Sequence, residues 1–301
     1  MKRRRFLIQS SKLYAGIGIS ALTMNNLFCK KNDLPFKISL AEWSLHRTIF
    51  SGELDHLDFA ETARKKYDIE AVEYVNQFFK NTTMDYLREM KSRADSFDVK
   101  SLLIMCDDEG QLGDPDNIQR EQAVQNHIKW LEAAKYLGCH SIRVNAASAG
   151  SYDEQLKLAT DGLRRLCERA EPYDLNVIVE NHGGFSSSGK WLSAVIKSVD
   201  HPKCGTLPDF GNFRINDNEY YDRYLGVEEL MPFAKAVSAK SSDFDENGDE
   251  TRTDYYKMMK IVLNSGYRGY IGIEYGGDRI TEHEGIIATK RLLEKVRKIL
   301  I

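Results

Sequence analysis

Residues 176–184 read Asn176-Val177-Ile178-Val179-Glu180-Asn181-His182-Gly183-Gly184, an apolar, largely β-branched run closed by three polar residues and a glycine pair. Such a run is too short for a helix and suits a strand buried on both faces of a parallel sheet. The segments on either side, 152–173 and 188–198, carry apolar residues at helical spacing. Outward from there the same strand–helix unit recurs. Strand-like runs lie at 37–43, 70–75, 99–105, 141–146, 176–181, 204–209, 236–240 and 269–275. Helix-like segments at 54–67, 83–97, 116–137, 152–173, 188–198, 227–233, 253–263 and 284–300 follow them in turn. Thr83 with Asp85 and Tyr86 opens one helix, Gly138 closes another after Leu137, and Gly266 follows the Asn264-Ser265 end of a third. Eight alternations predict an α/β chain folded as a (β/α)8 TIM barrel. A doubly wound open sheet would need a glycine-rich phosphate loop after its first strand, and Leu40-Ala41-Glu42-Trp43-Ser44 stands there instead. No linker interrupts the pattern, so residues 36–301 form one domain.

The 301 residues are 42% hydrophobic and 29% charged, the composition of a globular protein, and exclude disordered and disulfide-scaffold classes. The net charge of −3 is unevenly placed. Residues 1–28 hold Lys2, Arg3, Arg4, Arg5 and Lys12 and no acid, which leaves 37 basic against 45 acidic residues, a net of −8, for the rest. That balance offers nucleic acid no electrostatic footprint. The basic cluster precedes a short apolar stretch, residues 14–22, as in an export signal, and Arg3-Arg4-Arg5-Phe6-Leu7 resembles a twin-arginine pattern. The expectation is an exported, periplasmic protein with no transmembrane span. Cys29 offers a lipid-anchor alternative, although Asn26-Leu27-Phe28 lacks the small residue that a lipoprotein signal wants. Cys106, Cys139, Cys167 and Cys204 show no Cys-x-x-Cys spacing and read as buried thiols. Homo-oligomerisation is left open.

In such a barrel the chemistry gathers at the C-terminal ends of the strands. Three of the runs end there in a carboxylate: Glu180 in the fifth, Asp209 in the sixth and Glu274 in the eighth. Unpaired, these acids would repel one another, so a divalent metal is the natural partner. Oxygen ligands favour Mg or Mn, and an imidazole in the shell would shift the choice toward Zn, Mn or Co. His182, two residues beyond Glu180, is a ligand or a substrate contact if the strand stays extended, and a solvent-facing loop residue otherwise. Glu42 and His46, flanking Trp43 near the end of the first strand, are expected to line the mouth and bind substrate. Cys106-Asp107-Asp108-Glu109-Gly110 reads as a solvated acidic turn, and the acidic run 243–250 lacks the spacing of a calcium loop. Phe185, Arg214 and Asn216 follow strands and are further contact candidates.

The motifs Val179-Glu180-Asn181-His182-Gly183-Gly184, Asp209-Phe210-Gly211-Asn212 and Ile273-Glu274-Tyr275 resemble those of the sugar phosphate isomerase/epimerase superfamily of xylose isomerase-like barrels. The resemblance extends over residues 36–298. It implies that Glu180, Asp209 and Glu274 bind a metal and that the two glutamates form an acid/base pair. It also implies that Arg143, Asn145, Glu73 and Asn212 lie near the substrate. One departure stands out: where the family has His-x-Lys at the end of the seventh strand, this chain reads Ser238-Ala239-Lys240. Ser238 is then a substrate contact rather than a ligand, and Lys240 is left to stabilise an enolate oxygen.

These residues predict a sugar isomerase or epimerase that removes a proton next to a carbonyl. Export and the absence of a phosphate-binding motif point to an unphosphorylated sugar or keto-sugar. Two alternatives accompany this reading: a 3-keto-glycoside lyase or dehydratase acting by β-elimination, and a sugar-binding barrel without turnover. A phosphodiesterase of the endonuclease IV type needs a histidine-rich metal cluster, and seven histidines, only two of them near strand ends, do not supply it.

Overall fold

The computed structural model describes residues 34–300; the segment 1–28 expected to be an export signal, and Cys29, lie outside them. The first six barrel strands are β1 (Lys37–Ala41), β2 (Ala71–Val75), β3 (Lys100–Met105), β4 (Ser141–Val144), β5 (Asn176–Glu180) and β6 (Cys204–Leu207). A hairpin of β7 (Arg214–Asn216) and β8 (Glu219–Tyr220) follows, and then the last two barrel strands, β9 (Val237–Ser241) and β10 (Tyr270–Tyr275). All pairings within the barrel are parallel, in the order β6-β5-β4-β3-β2-β1-β10-β9. The ring closes between β6 and β9, where Lys235 N donates to Thr206 O (3.0 Å) and Ser238 N to Pro208 O (2.9 Å). Helices α1 (His46–Phe50), α2 (Phe59–Tyr67), α3 (Met84–Ser96), α4 (Asn117–Leu137), α5 (Tyr152–Ala170), α6 (Gly189–Val199), α7 (Arg223–Leu230), α8 (Tyr255–Asn264) and α9 (Glu282–Leu300) fill the connections. The eight barrel strands are those expected from the sequence, and no described helix is long and apolar enough to cross a membrane.

Two features lie outside the sequence pattern. The β7–β8 hairpin is too short and polar to register as strand. Asp68, Asp98, Asp174 and Asp200 take left-handed backbone (φ 51, 53, 56 and 47°) where α2, α3, the turn after α5, and α6 give way to the next strand. Aspartate tolerates that region and serves at stops where glycine is the usual signal.

The apolar residues split into two cores. Outward-facing positions such as Val72, Val177, Val179, Val237, Ala239, Ile271 and Ile273 pack with the helices. Ala41, Val75, Leu103, Met105, Ile178 and Leu207 form a smaller cluster inside the barrel. Strand side chains alternate, so the inner residues set which of their neighbours face the axis.

At the seam between α5 and the loop after β3, Gly162 leaves no room for a side chain: a Cβ there would lie 1.7 Å from the Leu112 carbonyl oxygen. Gly138, the C-cap of α4 at φ 82°, has open space around it. G138A should cost about 1 kcal/mol for backbone conformation alone, whereas G162A should cost roughly 2 kcal/mol or more by overpacking. Urea unfolding of both variants measures this, and equal losses would contradict the packing assigned to α5.

Candidate active site

The alternation of inner and outer residues aims the polar groups. Ile178 faces in, so Glu180 does too; Ile271 and Ile273 face out, which turns Gly272 and Glu274 inward; Val237 and Ala239 do the same for Ser238 and Lys240. Asp209 follows Leu207 by two residues and is fixed by its neighbours. Asn181 Oδ1 accepts from Asp209 N (2.8 Å), Asn181 Nδ2 donates to the carbonyls of Asp209 (3.1 Å) and Asn212 (3.2 Å), and Gly211 N and Asn212 N both donate to Asp209 Oδ1 (2.8 Å each). The outcome is a fully buried group, Glu180, Asp209 and Glu274, each offering an oxygen within 4.8 Å of the others. One cation can take an oxygen from each at that separation.

Two cations already stand among these acids. Arg143 Nε lies 2.9 Å from Glu180 Oε2, while its Nη1 and Nη2 grip Asp107 at 2.6 and 3.3 Å. Lys240 Nζ donates to Glu274 Oε1 at 2.6 Å. Asn212 Nδ2 donates to Glu180 Oε1 (2.8 Å), and Ser238 Oγ donates to Asp209 Oδ2 (2.7 Å) and lies 3.3 Å from Glu274 Oε2. The acids respond unequally. Burial pushes Glu180 up to about 7 against the pull of Arg143, and pushes Asp209 up to about 7 against that of Lys240. Burial would raise Glu274 as well, but the Lys240 charge and hydrogen bond outweigh it and hold this carboxyl below the usual range. Environments that drive the proton affinities of neighbouring carboxylates in opposite directions are the pattern of acid/base pairs.

Above the group opens a cavity of about 310 Å³. Its polar lining is Gln77, Asp107, Asp108, Arg143, Asn145, His182, Lys240 and Glu274, and its apolar lining is Trp43, Val75 and Met105. The structure thus gathers Glu180, Asp209, Glu274, Lys240, Arg143, Asn145, Asn212 and Ser238 in one place. His182 stands on the cavity wall, outside the cluster of carboxylates.

Glu42 and His46 are placed elsewhere than at the mouth. Ala41 faces the axis, so Glu42 turns outward, where Oε2 accepts from Val75 N (2.9 Å) and Oε1 lies 3.4 Å from His56 Nε2. His46 stacks on Trp43 with ring centroids 4.8 Å apart and pairs with Glu282 at 3.3 Å. Neither lines the cavity. Asp107, expected in a solvated turn, is instead bound by Arg143 and by Asn145 Nδ2 (2.7 Å), which together hold its acid below the usual range against the burial that raises it. Its signal is present in the sequence, since it follows the inward Leu103 and Met105 at the same two-residue spacing.

Glu73 lies inside the barrel off the cavity lining. Ser39 Oγ donates to its Oε1 (2.6 Å), its Oε2 has no hydrogen-bond partner, and the carboxyl leans over Gly272, where a Cβ would meet it at 2.6 Å.

A parallel barrel whose strand ends converge three carboxylates, a lysine and an arginine on one cavity belongs to the class that performs chemistry at the C-terminal mouth. The family model of the xylose isomerase-like TIM barrel matches residues 62–296, and the chain belongs to that family. Among solved structures it is similar to a D-tagatose 3-epimerase-like protein (TM-score 0.69, 18% identity, 88% of this chain and 98% of that one). It is likewise similar to the 3-keto-D-glucoside 4-epimerase of E. coli (0.65, 14%, 87% and 99%). A third is a xylose isomerase-like barrel of Mycobacterium smegmatis in complex with magnesium (0.65, 14%, 88% and 98%). At these identities the likeness is one of fold. A curated relative, the C-glycoside deglycosidase alpha subunit of Arthrobacter globiformis, is 39% identical over 49 residues, which span 16% of this chain and 14% of that protein.

Burial, opposed by the Ser39 hydrogen bond and reinforced by the charges of Glu274 and Glu180, pushes Glu73 up to about 7 from 4.5. A raised folded-state value means that its contribution to stability is intact below about pH 4.5 and is lost as pH rises through about 7. E73Q mimics the protonated acid. Between pH 5 and pH 8, with chelator present, wild type should lose about 2–3 kcal/mol of unfolding free energy relative to E73Q. A pH-independent difference in urea midpoints would show that Glu73 is ionised in the fold.

Proposed function

We propose that the chain is a metal-dependent isomerase or epimerase that moves a proton on the carbon next to the carbonyl of an unphosphorylated sugar or keto-sugar, and that it does so in the periplasm after export. The observation that carries the reading is the placement of Glu180 and Glu274 on either side of Asp209 around the barrel, with all three acids below one cavity.

The donor set suits a hard divalent cation. Glu180 Oε2 is buried and makes no aligned hydrogen bond, although Arg143 Nε is close, so one of its lone pairs is free. Glu180, Asp209 and Glu274 would hold the ion; an all-oxygen set favours Mg or Mn, and His182 on the cavity wall is the one imidazole in position to shift that preference toward Zn or Co. When bound, the cation would polarise the carbonyl and acidify the neighbouring C–H.

The remaining work falls to the chain. Glu274, kept ionised by Lys240, takes the proton and leaves an enediolate; Lys240 stabilises the charge that develops on its oxygen. Return of a proton from Glu180 to the opposite face of the same carbon gives epimerisation, and return to the neighbouring carbon, with a proton shift between the oxygens, gives isomerisation. Asn145 and Arg143 hold the substrate's hydroxyls on the far wall. The lining favours an uncharged sugar: Arg143 and Lys240 are both already paired with acids, and Asp107 and Asp108 would repel a phosphate.

The short match to a C-glycoside deglycosidase subunit favours a second reading, in which the same enediolate expels a substituent from the β-carbon of a 3-keto-glycoside. Both begin with the same proton transfer. Incubation of ketoses and 3-keto-glucosides in heavy water should show deuterium uptake next to the carbonyl, cut ~100-fold or more in E180Q and E274Q. Full exchange in E274Q refutes the acid/base assignment, and none in wild type favours a binding barrel. Added Mn should raise the unfolding temperature of wild type, by an amount worth roughly 3 kcal/mol at a hundredfold excess over Kd, and not that of D209N. A wild-type midpoint that ignores Mn would count against the metal site.

A further inference from the structure

The cavity is two-sided. Its titratable groups come from the ends of β3, β4, β5, β9 and β10, whereas the apolar ones, Trp43, Val75 and Met105, come from the ends of β1, β2 and β3. The C–H face of a sugar ring can cover the part of that apolar side that lies within the cavity. The apolar side also continues out of the cavity. The Phe50 ring meets Trp43 edge-on at 6.4 Å and Phe78 at 5.0 Å, and Phe50 is 61% exposed. Among the described residues it is the one exposed large hydrophobic packed ring to ring against a side chain that lines the cavity. One face of Trp43 is taken by the His46 imidazole, which lies 8° from parallel with it. The Phe78 ring also stacks on Trp43, with centroids 6.1 Å apart and planes 26° from parallel, so the indole is fixed as a wall, and the exposed Phe50 ring stands beside it.

We infer that Trp43 and Phe50 form a subsite for an aromatic substituent attached to the sugar, so that the substrate is an aryl glycoside whose sugar ring enters the polar half of the cavity and whose aglycone lies along the strip to Phe50. The inference rests on the cavity being the sugar site. It names the portion of the substrate that lies beyond the sugar ring. Aromatic rings pack edge-to-face with rings already arranged at these separations, and a rigid platform loses little entropy in binding them.

The test is calorimetric binding of methyl and phenyl β-D-glucopyranosides, each as such and oxidised at C3, to the full chain. The phenyl glycosides should bind about 3- to 10-fold more tightly than the methyl ones, the affinity equivalent of one aromatic pair. F50S should bring that ratio toward one, and F50Y should restore it. Phe50 is exposed, so neither variant disturbs the core. Equal affinity of the two glycosides for wild type, or a phenyl preference that survives F50S, overturns the subsite. So does a dimer in sedimentation that F50S dissolves, because Phe50 would then face a second copy of the chain. Deuterium exchange scores the proton-transfer reading separately: a phenyl preference without any exchange leaves the subsite standing and removes that chemistry.

Discussion

Carboxylates do not share a buried space without positive charge among them. Glu180, Asp209 and Glu274 are all withdrawn from water, and Glu73 lies in the same interior. The desolvation cost of ionising four such groups together would far exceed the stability of a domain. The fold meets that constraint in two ways. Arg143 and Lys240 are planted among the acids, Arg143 ion-paired with Glu180 and Lys240 hydrogen-bonded to Glu274, and where burial still outweighs the cations, at Glu73, Glu180 and Asp209, the acids hold their protons to about neutral pH. Several other polar groups around the acids are placed in keeping with this. Asn212 and Asn181 spend their amides on Glu180 and on the Asp209 backbone, and Asp107 takes up the charge that Arg143 has left over.

The same arrangement explains why chemistry is directed at one end of the barrel. Residues toward the N-terminal ends of the strands, such as Lys37 and Lys100, are exposed, whereas Glu180, Asp209 and Glu274 at the C-terminal ends turn inward and are buried. Low dielectric strengthens each interaction there, so a change of protonation at any one of these carboxylates changes the energy of every charge nearby. A divalent ion would replace the protons on Glu180 and Asp209 as the neutralising charge, which ties metal occupancy to the protonation of the acids that would hold it.

Most of this is legible in the sequence. Strand alternation identifies the barrel, and the carboxylate that closes three of the apolar runs identifies the site. The rule underneath is stricter than strand ends alone. Ten of the eleven residues that line the cavity share the two-residue parity of the inner barrel: Trp43 with Ala41, Gln77 with Val75, Asp107 with Met105, Asn145 with Arg143, His182 with Glu180, and Lys240 and Glu274 with Ser238 and Gly272. Glu42 and His46 break that parity, and proximity to a strand end alone puts them in the wrong place. Asp107 keeps it, but an acidic stretch reads as solvated and conceals the match. Asp108 is the exception that no periodicity could find, since its left-handed backbone (φ 60°) returns the loop to the mouth, where Gln77 Nε2 donates to its carboxylate at 2.5 Å. The pairings that no sequence pattern encodes are the long-range ones, such as Glu42 with His56 and the Val75 amide.

Ser238 shows how a single departure from a family pattern is absorbed. An imidazole at that place would bring a lone pair to a cation. The hydroxyl brings a donor, and it uses that donor on Asp209 while lying within reach of Glu274. The serine therefore ties β9 to two of the three acids whether or not an ion is present, and it makes the cluster less dependent on metal for its shape. The cost falls on affinity, since three carboxylates with a neutral oxygen beside them bind a borderline metal such as Zn less well than a set with nitrogen in it. The loss is smaller for Mg or Mn, which prefer oxygen in any case. Serine at one inward position would thus shift the balance of a cation held there from borderline toward hard ions, while leaving Glu180 and Glu274, proposed for proton transfer, and Lys240, proposed for charge stabilisation, where they stand.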